Sequence, residues 1–306
     1  MHLFLRTVGF SEFDTKMEEK LIKTAVKESI SAGYVMRHEG FERGIIQFKV
    51  SEHMGMYIYG TYVGKKFKMD YYYPYLTSEL RSDNDEITVE RHCDKESYAV
   101  VCDELKAGVT LIFYLQNVME YMNYITGVEG FDYNDFDLSK KNILSSRPIN
   151  GKQISITAMS VGGMILLPVS KNEKQRQKYN AAATNRKNLL AAAKNGDEEA
   201  IESLTIEDLD TYTQLSRRII HEDVFTIVDS SFMPCGIECD QYSIVGEILD
   251  IKTEKNIYTD EEIYIMTLDC NDMTFDMAIN SYDLVGEPAI GRRFKGQVWL
   301  QGAIDF

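Results

Sequence analysis

The most chemically capable run in the chain is Arg91-His92-Cys93-Asp94-Lys95-Glu96. It sets an imidazole, whose charge changes near neutral pH, among carboxylates and cations. A strongly apolar stretch follows closely, and a hydrophobic wall shifts the pKa values of groups beside it. On this reading His92 is the acid/base residue, with Asp94, Lys95 and Glu96 around it, and the chemistry is that of a hydrolase or transferase. No nucleophile, base and orienting group form a recognisable constellation, and a charged hairpin tip in water accounts for the same residues.

Aromatic side chains supply the second candidate. Seven tyrosines fall between positions 57 and 75, namely Tyr57, Tyr59, Tyr62, Tyr71, Tyr72, Tyr73 and Tyr75. Tyrosine favours strands and has a polar tip, so amphipathic sheet packing explains the cluster. The alternative is a platform for a peptide, sugar or partner, with Tyr71, Tyr72 and Tyr73 at its centre. Trp299, the one tryptophan, shares strand parity with Lys295, Gln297 and Gln301, opposite Phe294, Gly296, Val298 and Leu300. A large aromatic on a polar face is expected to pack on a neighbouring domain; otherwise it anchors a ligand or partner.

Metal and cofactor motifs fail on spacing. In FDYNDFDL (131–138) a calcium loop needs glycine at its sixth position and glutamate at its twelfth. Counted from Asp132 these are Asp137 and Ile143, and from Asp135 they are Lys140 and Ser146. Cys235 and Cys239 lack a second ligand pair for zinc. No metal and no cofactor is expected. The basic run Lys171, Lys174, Arg176, Lys178, Arg186, Lys187 and Lys194 offers a nucleic-acid surface, or else a solvated face or a dock for acidic residues further on.

The elements that must position these residues follow from periodicity. Ile87–Val89 and Tyr98–Cys102 read as strands on either side of the His92 run. Leu105, Val109, Ile112, Met119 and Met122 fall at helical spacing, which predicts a buried helix over Glu104–Ile125, stopped by Thr126-Gly127. Its apolar run ends at Gln116-Asn117, too short for a bilayer. Earlier, Thr15 with Glu18 has the spacing of a capping box and starts a helix that Gly33 closes. Ile46–Val50 is a one-sided strand, and Gly55–Val63 and Lys66–Tyr73 form a hairpin around Gly64-Lys65, with Phe67, Met69, Tyr71 and Tyr73 on one face. Gln153–Met159 and Met164–Val169 are expected to pair across Val161-Gly162-Gly163.

Lys171–Lys194 is helical by composition, a second helix starts at Asp197, and Thr205 with Asp208 caps a third that runs to about Ile220. From Val224 the chain turns β-rich, with strands at Ile244–Lys252, Ile263–Leu268, Met273–Ser281 and Arg292–Leu300. Both faces of the first are apolar, and Gly246 permits a bend there. Several short strands in so little chain suggest a small barrel, OB-like or SH3-like.

Composition sets the outer limits. The 306 residues are ample for two domains, and hydrophobic (44%) and charged (26%) fractions are those of a globular protein. A net charge of −15 argues against a general nucleic-acid binder, which must neutralise phosphates. Residues 197–306 carry seven basic and 24 acidic side chains, a balance of −17, whereas residues 171–196 carry a balance of +6. These shifts predict an α+β domain over 1–170, a helical connector over 171–222 and a β-barrel domain over 223–306. The start of the chain lacks the marks of a signal peptide, and the five scattered cysteines suit buried thiols in a reducing, cytoplasmic setting.

Several long segments resemble one family: MHLFLRTVGFSEF, the YYYPY run, ITVERHCDKESYAVVCDELKAGVTLIFYLQN, ILLPVSKNEKQ, NGDEEAIESLTIEDLDTYTQLSRRI and EDVFTIVDSSFMPCGIECDQYSIVGEIL. It is a family of cytosolic proteins of anaerobic Gram-positive bacteria, known as a domain of unknown function. The resemblance spans nearly the whole chain. It implies a source and a compartment but no activity, cofactor or catalytic residue. Cys235 departs from it, standing where an aromatic is expected.

The expectation is therefore an α+β protein in which an antiparallel sheet with a buried helix is followed by a helical connector and a small barrel. Its expected role is a non-enzymatic binding or assembly module for a protein or small-molecule partner, with the tyrosine-rich sheet, Trp299 or the domain seam as its surface. A hydrolase or transferase using His92, Asp94, Lys95 and Glu96 is the alternative. Nucleic-acid binding through residues 171–194 and the barrel is the third reading, and a membrane partner is not expected.

Overall fold

The computed structural model describes residues 2–12, 15–32, 35–37, 43–64, 66–83, 86–91, 98–104, 109–126, 149–168, 185, 188–189, 192–193, 196–219, 228–236 and 240–306. The expected helix near the start is α1 (Thr15–Ala32), which buries Ile22 and Ala25. It packs on a four-stranded antiparallel sheet with the order β1 (Val35–Arg37), β2 (Arg43–Lys49), β3 (Met54–Val63) and β4 (Lys66–Leu76).

The β3–β4 hairpin turns at Gly64, whose φ of 63° glycine adopts without strain. One expectation for it is corrected. Tyr71 and Tyr73 lie opposite Tyr59 and Tyr57, but the register shifts at Tyr59/Gly60, so Met69 faces Gly60 and Phe67 faces Tyr62. The extra residue at this bulge, Asp70, breaks the alternation that would have kept Phe67, Met69, Tyr71 and Tyr73 on one face.

A second, larger sheet holds most of the remaining strands. They are β5 (Ser82–Asp83), β6 (Glu86–Arg91), β7 (Tyr98–Glu104), β8 (Val109–Leu115), β9 (Ile149–Asn150), β10 (Gln153–Ser160) and β11 (Gly163–Leu166). After residue 230 come β12 (Ser231–Pro234), β13 (Gln241–Lys255), β14 (Glu262–Cys270), β15 (Met273–Asn280), β16 (Leu284–Val285) and β17 (Arg293–Ile304). The fold is thus predominantly β, a mixed sheet with few helices.

The expected helix over Glu104–Ile125 is not formed. Val109–Leu115 is a strand paired antiparallel with Tyr98–Glu104, and only α2 (Val118–Thr126) is helical. Leu111, Phe113, Tyr114 and Leu115 are all buried, so β8 is covered on both faces. A strand of that kind reads as a continuous apolar run, which periodicity does not separate from a buried helix, and its Val, Ile, Phe and Tyr content favours the strand.

Within the large sheet the pairing path returns to its start. β13 pairs with β14 along one edge and with β17 along the other. β14 pairs with β15, β15 runs parallel to β10, and β10 pairs with β17. A strand can serve two neighbours in this way only if it bends, and β13 has a register shift between Ile248 and Asp250. At Gly246 a Cβ would run into the Cys270 sulfur and the Asp269 carbonyl, so the close approach of β14 requires glycine there.

β10 and β11 do not form the expected hairpin. Both pair antiparallel with β17, one along Trp299–Ile304 and the other along Arg293–Gly296. Ser160, buried at the junction, donates to the Gln297 carbonyl and thereby keeps the chain against β17 through the kink. β17 also runs parallel to β8 at Gln301 and Gly302. Strands from before residue 170 and after residue 222 therefore share one ladder.

The N-terminal 3-10 turn, Leu3–Val8, is sewn into the far end of the chain. The Asn256 side chain donates to the Val8 carbonyl (2.7 Å), Thr259 to the Gly9 carbonyl (2.6 Å) and Asn280 to the Arg6 carbonyl (3.1 Å). Arg6 pairs with Asp283, and Ser11 donates to Glu261. One hydrophobic core takes in Leu5, Phe10, Ile46, Phe113, Met277 and Leu300.

Two helices expected after residue 197 are one, α3 (Glu198–Ile219). Asp197 caps it through Ala200 N–H, while Thr205 bonds back to the Ile201 carbonyl and so sits inside the helix instead of starting another. The basic residues of 171–194 and the acidic loop 131–138 lie outside the described residues.

Candidate functional site

The run His92, Asp94, Lys95 and Glu96 lies outside the described residues. Its frame is described: β6 ends at Arg91, opposite Tyr98 at the start of β7. Tyr98 is buried there against Tyr121 of α2, with ring centroids 5.7 Å apart.

The aromatic candidates are brought together, and inward. Tyr71 and Tyr72 are half-buried, whereas Tyr73 is 2% and Trp299 6% exposed. Tyr71 stacks on Tyr59 at 4.8 Å, Tyr73 meets Tyr114 edge-on at 4.5 Å, and Trp299 lies 5.4 Å from Tyr114 and 6.4 Å from Tyr73. Phe4 and His2 cover the indole at 5.0 and 5.2 Å. The supposed polar face of β17 is therefore interior too, as the complete burial of Gln301 shows.

Polar groups in this seam satisfy one another. The Tyr59 and Tyr73 hydroxyls lie 2.8 Å apart and each lies within hydrogen-bond distance of the Gln116 main-chain carbonyl, at 3.1 and 3.2 Å, so their two protons serve three oxygens, one phenol donating to the carbonyl and the other to its neighbour. The Gln116 amide donates to Gln301 Oε1 and the Leu76 carbonyl, and Gln301 donates to the Pro74 carbonyl. Burial pushes Tyr59, Tyr73 and Tyr114 well above the usual phenol range, so they stay neutral and act as donors, not bases. The arrangement fastens the small sheet to β8 and β17.

Open clefts among the described residues include two of note. One, of about 420 Å³, runs along α1 beside Lys16, Lys20, Lys23 and Lys27. The other, of about 240 Å³, is lined by Lys49, Ser51, Glu52, Glu254, Lys255 and Ile257. It lies where the turn between β2 and β3 meets the end of β13. Glu52, His53 and Glu254 converge there, with one donor atom from each within 4.8 Å of the others. The His53 ring meets the Glu254 carboxylate through Nδ1, and the His53 main-chain N–H donates to Glu254 Oε2 at 3.2 Å. Burial opposes ionisation of Glu254, but hydrogen bonds from Ser51 and His53 outweigh it and hold its carboxyl below the usual range.

Residue spacing carries no trace of this cluster. Glu52 and His53 are neighbours in a turn, and Glu254 is 201 residues from His53.

Residues 5–302 match a domain of unknown function described from an E. rectale gene, DUF3881. The chain belongs to that family. The DUF3881 match takes in the aromatic seam, the Glu52–His53–Glu254 cluster and the strand pairings around β13 alike. No curated protein and no solved structure matches the chain. Among the described residues no helix is long and apolar enough to cross a membrane.

Proposed function

We propose that this DUF3881 protein is a non-enzymatic binding module whose contact element is the β3–β4 hairpin. The observation that carries this reading is the contrast between the two ends of that hairpin. At its base Tyr59, Tyr73, Pro74 and Leu76 are tied to Gln116 and Gln301 in the interior. At its tip Val63 is 65% and Met69 39% exposed, Lys66 and Lys68 point to water, and among the described residues β4 is the end strand of its sheet. A rigid base with an apolar, basic free edge suits an extended acidic segment of a protein partner, which adds main-chain hydrogen bonds to the edge and carboxylates to the lysines.

The five pairings around β13 support an OB-like barrel, closed by β10 from the earlier half of the chain. OB barrels take oligonucleotides on the face of their second and third strands. The equivalent strands here are β14 and β15. Their Asp276 and Asn280 side chains already bond to Ser78 and to the Arg6 carbonyl, and Ile263 lies under Gly9. That face is taken up by the protein itself, which favours a protein partner over a nucleic acid.

Affinity capture of the tagged chain from its native cell extract, run beside a Val63→Glu/Met69→Glu variant, tests the reading. Both substitutions fall on exposed positions, so the fold is expected to persist. A protein retained by the unaltered chain, released by high salt and lost with the variant is the expected result. Equal recoveries from both chains, or turnover of a metabolite by the purified protein, would overturn it.

A further inference from the structure

We propose that Glu52, His53 and Glu254 bind one divalent transition-metal ion, zinc being the representative case, in the cleft between the β2–β3 turn and the end of β13. The donors fit the ion's chemistry. One imidazole nitrogen and two carboxylates without a thiolate suit first-row divalent cations, whereas calcium and magnesium favour oxygen donors throughout. The three donor atoms lie within 4.8 Å of one another. Around a zinc ion with bonds of about 2.1 Å, tetrahedral ligands stand roughly 3.4 Å apart, so Glu52 must contract toward the other two, while the His53 ring and the Glu254 carboxylate, now in hydrogen-bond contact, must open to that spacing. Glu52, exposed at the turn, is free to swing in and supply that contraction.

The other two ligands are already neighbours. Glu254 is anchored by the His53 main-chain N–H at 3.2 Å, and its second oxygen faces His53 Nδ1. An ion bound by both atoms would separate them and replace the proton shared in that contact, so metal and proton compete for the same pair. His53 is itself held by its main-chain carbonyl, which accepts from Thr77 N–H at 2.9 Å. The remaining coordination positions open onto the cleft of about 240 Å³, where water completes the shell.

Lys49 and Lys255 also line the cleft. Their charge opposes a cation and weakens the expected affinity. The ligands come from opposite ends of the chain, 201 residues apart. A bound ion therefore clasps the small sheet to β13 and stabilises the folded state by mass action.

Titration calorimetry of the full chain with zinc chloride after chelator treatment, with thermal unfolding in parallel, tests the site. One zinc ion per chain, a higher Tm with zinc, and an affinity lowered about tenfold or more by each of Glu52→Gln, His53→Ala and Glu254→Gln are expected, with Lys49→Ala binding more tightly. Glu52→Gln alters an exposed side chain and leaves the His53–Glu254 contact in place, so it decides the matter even if the other two variants misfold. Absence of saturable zinc uptake overturns the proposal. So does uptake that any one of the three ligand substitutions leaves unchanged, since the ion then sits elsewhere, for instance on the cysteines.

Discussion

The Trp299 indole N–H donates to the Asp240 carboxylate across 2.7 Å in the interior, and the Leu300 N–H donates to the Asp240 carbonyl at 2.9 Å. Asp240 thus holds β17 from the residue just ahead of β13, at the point where the rings of Phe4, Tyr73 and Tyr114 gather on the indole. A hydrogen bond to a charged group contributes about 1.5–3 kcal/mol, more than a neutral one. Trp299→Phe keeps most of the ring packing but removes the donor, so a loss of about 2 kcal/mol is expected. Trp299→Ala also empties the seam and is expected to cost about 3–5 kcal/mol. Urea unfolding followed by circular dichroism measures both. Equal losses for the two variants would show that ring packing contributes nothing beyond the hydrogen bond.

The paired phenols make a second case. Tyr59 and Tyr73 hydrogen-bond to each other, and each lies within reach of the Gln116 carbonyl. Either phenol alone still satisfies that acceptor, so Tyr59→Phe and Tyr73→Phe are each expected to cost about 1 kcal/mol. Together they leave the buried carbonyl without either donor, and the double variant is expected to lose more than the sum. A double-mutant cycle with a coupling energy near zero would contradict the shared acceptor.

These relationships differ in how far residue order announces them. The β3–β4 hairpin and strands β14, β15 and β17 are legible because apolar and polar residues alternate, and β13, apolar on both faces, because turn residues bound it. β8 is not, because burial on both faces erases the alternation that marks a strand. Trp299 has the parity of a polar face, yet that face of β17 is covered as well, by Phe4, Tyr73 and Tyr114 from elements remote in the sequence. The β10–β15 pairing joins Thr157 to Asp276 with no local signature, since parallel partners are set by long-range packing and not by a turn. The cluster at Glu52, His53 and Glu254 is hidden for the same reason: its members meet only once the β2–β3 turn and the end of β13 are brought together.

Alkaline pH should loosen the seam. Burial pushes Tyr57 up to about 12, with the Glu120 carboxylate adding to the shift, and raises Tyr59, Tyr73 and Tyr114 well above the usual 10.0. The folded chain therefore keeps protons that the unfolded chain gives up first. Their stabilising contribution is complete below about pH 10 and declines as pH rises through 12 and beyond. The urea midpoint is expected to hold up to about pH 9 and then to fall. In an ultraviolet titration the exposed phenols should ionise first and the buried ones only with unfolding. Ionisation of every tyrosine near pH 10 in the folded protein would refute this ordering.

Gly9 tests how the two ends of the chain are sewn together. Its φ is 89°, and a Cβ there would lie 2.6 Å from the Asn256 Cβ. Asn256 cannot retreat freely, because its amide donates to the Val8 and Gly9 carbonyls while its oxygen accepts from Tyr258 N–H. Gly9→Ala therefore meets both backbone strain and a clash, and a loss of about 2–3 kcal/mol is expected. Asn256→Ala leaves the glycine conformation intact but strips the side-chain donor from the Val8 carbonyl and leaves the Gly9 carbonyl to Thr259 alone, for about 1–3 kcal/mol. Both variants should raise hydrogen exchange at Leu5–Phe10 before it rises in the small sheet. If exchange rises there uniformly with the rest of the protein, the N-terminal turn is not a separable latch but unfolds only with the core into which Leu5, Val8 and Phe10 are packed.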